Sequence, residues 1–215
     1  TTLDELIAYH NKDWVVYGDR PADKTELIKR VGDAEAASSY SVHYDGEVFE
    51  ACPNLKYVAI PAVGASLFVD MEAAKRHGVT VMNCPGYNAQ AVAELAVGFM
   101  LDLLRFVVPE HAKIAGGAWN FTLPKGHLLQ GKTVGLIGYG NVGKTIENLL
   151  SNWDVTVLHV DSASSATDID ELASKADVVV VCCPITDETR HMLDERRFAL
   201  MKSGVVIINV GRGGV

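Results

Sequence analysis

Residues 134–161, VGLIGYGNVGKTIENLLSNWDVTVLHVD, constrain this chain more than any other stretch. A short apolar run, Val134 to Ile137, has the length of a buried strand and runs into Gly138, Gly140 and Gly143. A helix follows, with Val142, Ile146, Leu149 and Leu150 at helical spacing, and then a second strand ending in Asp161. This is a βαβ unit with a glycine-rich turn, and each glycine has its own physical reason. Gly138 permits the tight turn, Gly140 removes the side chain that would hold the backbone away from a bound pyrophosphate, and Gly143 lets the helix pack close to the strand. The amides around Asn141 and Val142 lie at the positive end of the helix dipole and face the phosphate.

Glycines are common in turns, so the spacing alone is a weak signal. Its context strengthens it: the motif follows a strand, opens a helix, and has a carboxylate at the tip of the next strand about 20 residues on. A related domain that has lost its ligand is the bland alternative. Asp161 also bears on the cofactor, because its carboxylate accepts hydrogen bonds from an adenosine ribose and repels a 2′-phosphate. Two such charges about 4 Å apart cost on the order of 4 kcal/mol at an effective dielectric of 20. Ser162, Ala163, Ser164 and Ser165 follow, with no Arg or Lys to hold a phosphate, so NAD is favoured over NADP.

At 215 residues the chain has room for two modest domains. Its formal charge of −8, with no long basic run, argues against nucleic acid or an anionic membrane as partner. Arg196 and Arg197 are the densest basic pair and fit a solvated helix face. Cys52, Cys84, Cys182 and Cys183 show no CxxC spacing and are expected to be buried thiols in a reducing compartment, which points to the cytoplasm. No His, Cys or carboxylate cluster has metal-ligand spacing. The longest hydrophobic helix, near Val92 to Val108, is interrupted by Glu94, Asp102 and Arg105 and does not span a bilayer.

From the N-terminus, the spacing predicts a helix over Leu3 to Tyr9, a strand over Trp14 to Tyr17 and a helix over Lys24 to Val31. A weak strand at Ala34 to Ser39, a short helix at Glu47 to Ala51 and a strand at Tyr57 to Ile60 come next. After a loop, a helix (Val69 to His77) capped by Gly78 leads to the strand Val79 to Met82. A long helix from about Ala89 to Phe106 suits either a hinge between domains or a plain core helix, and a more irregular segment with Pro109, Gly116, Gly117, Trp119 and Pro124 follows. Beyond Asp161 we expect a helix at Ile169 to Lys175, a strand at Asp177 to Cys183, a helix at Asp194 to Met201 and a last strand at Val205 to Val210. Alternating strands and helices imply an α/β fold with parallel sheets covered on both faces. The chain opens on a helix where such a domain usually opens on its central strand, which leads us to expect residues before Thr1.

NCPGYNAQAVAELAVGFML, GGAWN, GKTVGLIGYGNVG, VVVVCCPITDETRHML and FALMKSGVVIINVGRGG together resemble the D-isomer-specific 2-hydroxyacid dehydrogenases, and the glycerate dehydrogenase branch most. The resemblance implies two doubly wound parallel-sheet domains. A flavodoxin-like substrate domain over residues 1–88 would lack its first strand, and a Rossmann NAD domain over 89–215 would be C-terminally incomplete. It further implies a cleft between them, a homodimer formed through the NAD domain, and hydride transfer between NAD and C2 of a small D-2-hydroxy or 2-oxo acid. By position, Asp161 would hold the ribose, Cys183, Pro184 and Thr189 would line the adenine side, and Val210 and Gly211 would offer backbone groups to the nicotinamide amide. Arg212 matches the family's catalytic arginine, Val63, Gly64 and Ala65 would present amides to the substrate carboxylate, and Asn88 falls at an active-site asparagine.

The chemistry agrees, since hydride arrival puts negative charge on a carbonyl oxygen and a fixed guanidinium stabilises it. From the residues alone, Arg212 reads equally as a surface arginine in a glycine-rich tail, and Asn88 reads as a helix N-cap as readily as a substrate contact. Leu67 and Phe68 stand where the family carries small or polar residues, so the sequence does not name the acid. The family's Glu and proton-donating His lie beyond its NVGRGG segment, none of the seven histidines here matches them, and little turnover is expected of residues 1–215 alone. An NAD(H) sensor or corepressor-like binding protein of the same fold is the alternative function.

Overall fold

The computed structural model describes residues 14–39, 42–119 and 125–215. They divide into two compact units, residues 1–87 and 88–215. The expected helix at Leu3 to Tyr9 lies outside the described residues, as does Pro124.

In the N-terminal unit, α1 (Lys24–Val31), β1 (Ala36–Ser38), α2 (Gly46–Ala51), β2 (Tyr57–Ile60), a 3-10 turn (Ala65–Leu67), α3 (Met71–Arg76) and β3 (Thr80–Asn83) follow one another. The strands form a parallel sheet in the order β1-β2-β3. Each α-helix starts on an aspartate whose carboxylate accepts from an orphan amide: Asp23 from Glu26, Asp45 from Val48 and Asp70 from Ala73. Leu27 and Val31 of α1, Phe49 of α2 and Ala73 of α3 gather with Val58 and Ile60 of β2 into one buried cluster. Gly78 follows α3 at φ +70, the left-handed turn that ends it. Residues 14–17 form no strand, contrary to expectation, and Trp14, Val15, Val16 and Tyr17 are all exposed. An apolar run becomes a strand only where a neighbouring strand takes up its amides and carbonyls, and no described strand does so here.

The C-terminal unit begins with α4 (Ala89–Arg105) and α5 (Val107–Ala115), then β4 (Thr133–Ile137), α6 (Asn141–Leu150), β5 (Thr156–Val160), α7 (Ala166–Lys175), β6 (Val178–Val181), α8 (Glu195–Leu200) and β7 (Val206–Asn209). Where the sequence suggested an irregular segment after Phe106, the chain forms α5. Phe106 breaks the two helices apart at φ 57, and Pro109 sits in the first turn of α5, where its missing N–H has no helical partner to lose.

All four strands are parallel, in the order β5-β4-β6-β7. Alternate side chains serve two cores. Val134, Leu136, Val178 and Val180 join α4 and α6, while Ile137, Val179 and Val181 join Ile169 and Leu172 of α7. No helix of the described residues is long and apolar enough to cross a membrane.

Candidate active site at the strand ends of the C-terminal unit

Four chain segments leave the carboxyl ends of β5, β4, β6 and β7, and the expected cofactor residues lie on them. β4 runs into Gly138, whose φ of +103 no side chain tolerates and whose added Cβ would lie 2.7 Å from the Cys183 nitrogen. A Cβ on Gly143 would meet the Gly138 carbonyl oxygen at 2.5 Å, so α6 packs against the turn itself. Gly140 is different, since a Cβ there would meet nothing within 4 Å. No packing contact requires glycine at that position beyond the ordinary tolerance of a helix N-cap for it, whereas a pyrophosphate approaching the backbone does. Gly140 is also the N-cap of α6 and contributes no side-chain cap, so the amides at Asn141 and Val142 face outward to an anion. The turn and helix start therefore fit a dinucleotide.

Asp161 follows β5 directly. Its Oδ1 accepts from the Ala163 amide at 2.9 Å, its own amide donates to Ser164 Oγ at 3.0 Å, and the Ser164 amide donates to its carbonyl at 3.1 Å. Ser165 then caps α7 through a reciprocal pair with Asp168. The acid is thus held by its own turn, with a second carboxylate oxygen left for a ribose.

The turn after β4 rests on the end of β6. Cys182 Sγ donates to the Gly138 carbonyl at 2.9 Å, and the Cys182 amide donates to Ile137. Burial, reinforced by neighbouring Cys183, pushes the Cys182 thiol up to about 12, and burial also raises Cys183. Neither is a nucleophile at neutral pH. Thr189 is spent inside its loop, where its hydroxyl donates to the Pro184 carbonyl at 2.8 Å and accepts from the Thr186 amide at 2.7 Å. Pro184 and Thr189 shape this wall together.

At the end of β7, the amides of Val210 and Gly211 both donate to the Val181 carbonyl. With both amides committed to β6 and the Gly211 carbonyl already accepting from the Arg212 side chain, the Val210 carbonyl is the backbone group here left to meet a ligand amide. Arg212 is exposed, its Nη1 donates to the Gly211 carbonyl at 3.0 Å, and no carboxylate among the described residues pairs with it.

Val63, Gly64 and Ala65 belong to the N-terminal unit, where Val63 and Gly64 lead into the 3-10 turn and Ala65 opens it. Their loop is fastened by Asn83, whose Nδ2 donates to the Val63 carbonyl at 2.6 Å. Leu67 is 55% exposed, while Phe68 packs on the buried cluster. Asn88 occupies the N-cap position of α4, but its side chain makes no capping bond, so capping does not account for it.

Sequence reasoning missed Asn83, Cys182 and Asn209 as supports of these loops. The one available signal was position, as Asn83 and Asn209 each end a strand, where Asn favours side-chain bonds to nearby backbone. His159, inside β5 where a buried role would be the ordinary reading of a strand histidine, is instead exposed and stacks on Tyr139 with ring centroids 3.6 Å apart. Among the described residues no group of three His, Cys, Asp or Glu is placed to hold a metal.

Comparison with known proteins agrees with this geometry. Residues 97–215 match the family model described as D-isomer specific 2-hydroxyacid dehydrogenase, NAD binding domain. The chain is 32% identical to a hydroxypyruvate reductase of Thermotoga maritima, over 95% of this chain and 69% of that protein. It is 33% identical to a glyoxylate reductase of Thermofilum pendens, over 98% of this chain and 65% of that protein. The crystal structure of an NAD-dependent formate dehydrogenase from Staphylococcus aureus in complex with NAD superposes with a TM-score of 0.76 at 31% identity, covering 89% of this chain and 61% of that one.

Proposed function

Because the chain belongs to the D-isomer specific 2-hydroxyacid dehydrogenase family, we propose that it binds NAD at the ends of β4 and β5 and takes part in hydride transfer at C2 of a small D-2-hydroxy or 2-oxo acid. The observation that carries this reading is the contrast among the glycines: Gly138 and Gly143 are pressed by protein, while Gly140 faces open space at a helix start. In this reading the amides of Asn141 and Val142 hold the pyrophosphate and the free carboxylate oxygen of Asp161 takes the ribose. Cys183, Pro184 and Thr189 form the adenine wall, and the Val210 carbonyl receives the nicotinamide amide. The nicotinamide, when bound, supplies or accepts the hydride. Arg212 orients the substrate carboxylate and stabilises charge on the carbonyl oxygen, a contribution typically worth about 10² to 10³ in rate. Val63, Gly64, Ala65 and Asn88 are the proposed substrate contacts. The relatives named as hydroxypyruvate and glyoxylate reductases support short 2-oxo acids.

The same reading includes a homodimer. Leu95, Phe99 and Leu103 are exposed at i, i+4 and i+8 on α4, flanking its buried stripe Ala93, Ala96, Met100 and Leu104, and Val107 and Val108 of α5 are exposed as well. All four cysteines are unpaired, which suits a reducing compartment such as the cytoplasm. The test mixes the complete protein with NADH and glyoxylate, hydroxypyruvate, pyruvate and bulkier 2-oxo acids, and follows the absorbance of the reduced cofactor. Oxidation with one or more short acids is expected. NADH bound without turnover on any acid would replace the enzyme with a sensor of the same fold.

A further inference from the structure

The backbone around Arg212 is gripped by one side chain. Asn209, the last residue of β7, accepts from the Gly211 amide through Oδ1 at 2.9 Å and donates from Nδ2 to the Arg212 carbonyl at 3.1 Å. A carboxamide has an acceptor and a donor fixed side by side, so it can hold an amide and a carbonyl of one tight turn together. Aspartate retains only the acceptor, and serine is too short to span both groups. The turn has little freedom elsewhere. A Cβ on Gly211 would lie 2.6 Å from the Cys183 carbonyl oxygen, so the backbone is seated against the end of β6. Past Arg212, the Gly214 carbonyl accepts from the His191 amide at 2.7 Å.

From this geometry we infer that Asn209 is the positioning residue for Arg212, fixing the backbone from which the guanidinium reaches a substrate carboxylate. The inference rests on the reading of Arg212 as the substrate clamp. Asn209 acts through Arg212, because its two polar groups are engaged with the turn. A displacement of about 1 Å in such a group can cost 10²-fold in rate, so the clip is where orientation is set.

The test uses the complete protein loaded with NADH and titrated calorimetrically with oxamate, a 2-oxo acid mimic that cannot be reduced. Tm, NADH affinity and kcat are measured alongside. For Asn209→Ala, oxamate affinity falls about 10-fold or more and kcat falls about 10- to 100-fold, while NADH affinity stays within about 3-fold of wild type. Asn209→Asp, which keeps the bond to Gly211 and loses the one to Arg212, shifts oxamate binding in the same direction at unchanged Tm. Oxamate binding within 2-fold of wild type in both variants, or a proportionate loss of NADH and oxamate binding tracking a fall in Tm, overturns the inference. Arg212→Lys separates the two levels. If it weakens oxamate binding while the Asn209 variants do not, the clip alone is wrong. If it binds oxamate normally, the clamp reading fails and the clip with it.

Discussion

Gly140 and Gly143 stand three positions apart, and the same substitution does different things to them. Gly143→Ala drives a methyl group toward the Gly138 carbonyl, and overpacking of this kind costs about 1–3 kcal/mol, read as a lower Tm. Gly140→Ala meets open space and loses only the N-cap preference for glycine, so Tm falls less than in Gly143→Ala while NADH affinity, measured by fluorescence titration, falls by about 10-fold or more. The thiols differ as sharply. A disulfide reagent at neutral pH is expected to label exposed Cys84 first and half-buried Cys182, its thiol raised to about 12, much more slowly. The glycines and Asp161 were legible in the sequence because of their context, a glycine-spaced turn between a strand and a helix with an acid at the tip of the next strand. Cys182 and Asn209 were not, because what gives each a role is a carbonyl brought to it by the fold.

Between elements, one carboxylate fastens α7 to α8. Asp170 receives both terminal nitrogens of Arg196 and the Nε of Arg197, and Arg197 also donates to the Met192 carbonyl. Arg196 foremost, then Arg197, holds the Asp170 carboxyl down to about 2 from its ordinary 3.8. A folded-state value below the unfolded one adds stability above the unfolded value, and that stability is lost as pH falls through the folded one. Between pH 3.8 and about 2, Tm therefore declines more steeply in wild type than in Asp170→Asn, as thermal melts across that range would show. Arg196 and Arg197 read from sequence as a solvated pair, and the partner that binds them lies a whole strand away in the chain. Most helices and strands were readable from apolar spacing and caps. The two that differed did so for different reasons: α5 restarts locally behind a left-handed Phe106, whereas residues 14–17 have no described strand beside them to pair with.

For the molecule as a whole, the exposed stripe on α4 makes a prediction about assembly. Phe99 and Leu103 are exposed and belong to neither buried core of the C-terminal unit, so in the proposed dimer Phe99→Asp with Leu103→Asp is expected to leave the fold and NADH binding intact while halving the mass measured by light scattering. An unchanged mass would count against the proposed dimer surface. Cofactor preference belongs to the whole site as well. Asp161→Ala is expected to weaken NADH and to narrow its advantage over NADPH, since the repelling charge of about 4 kcal/mol is gone. The acid sits in a loop that bonds only to itself before handing the chain to a capped helix. Within that site the proposed preference for one nucleotide over another is concentrated in residues 161–165, and grafting a foreign version of this loop between β5 and α7 is expected to change which coenzyme is accepted while the sheet beneath keeps its fold.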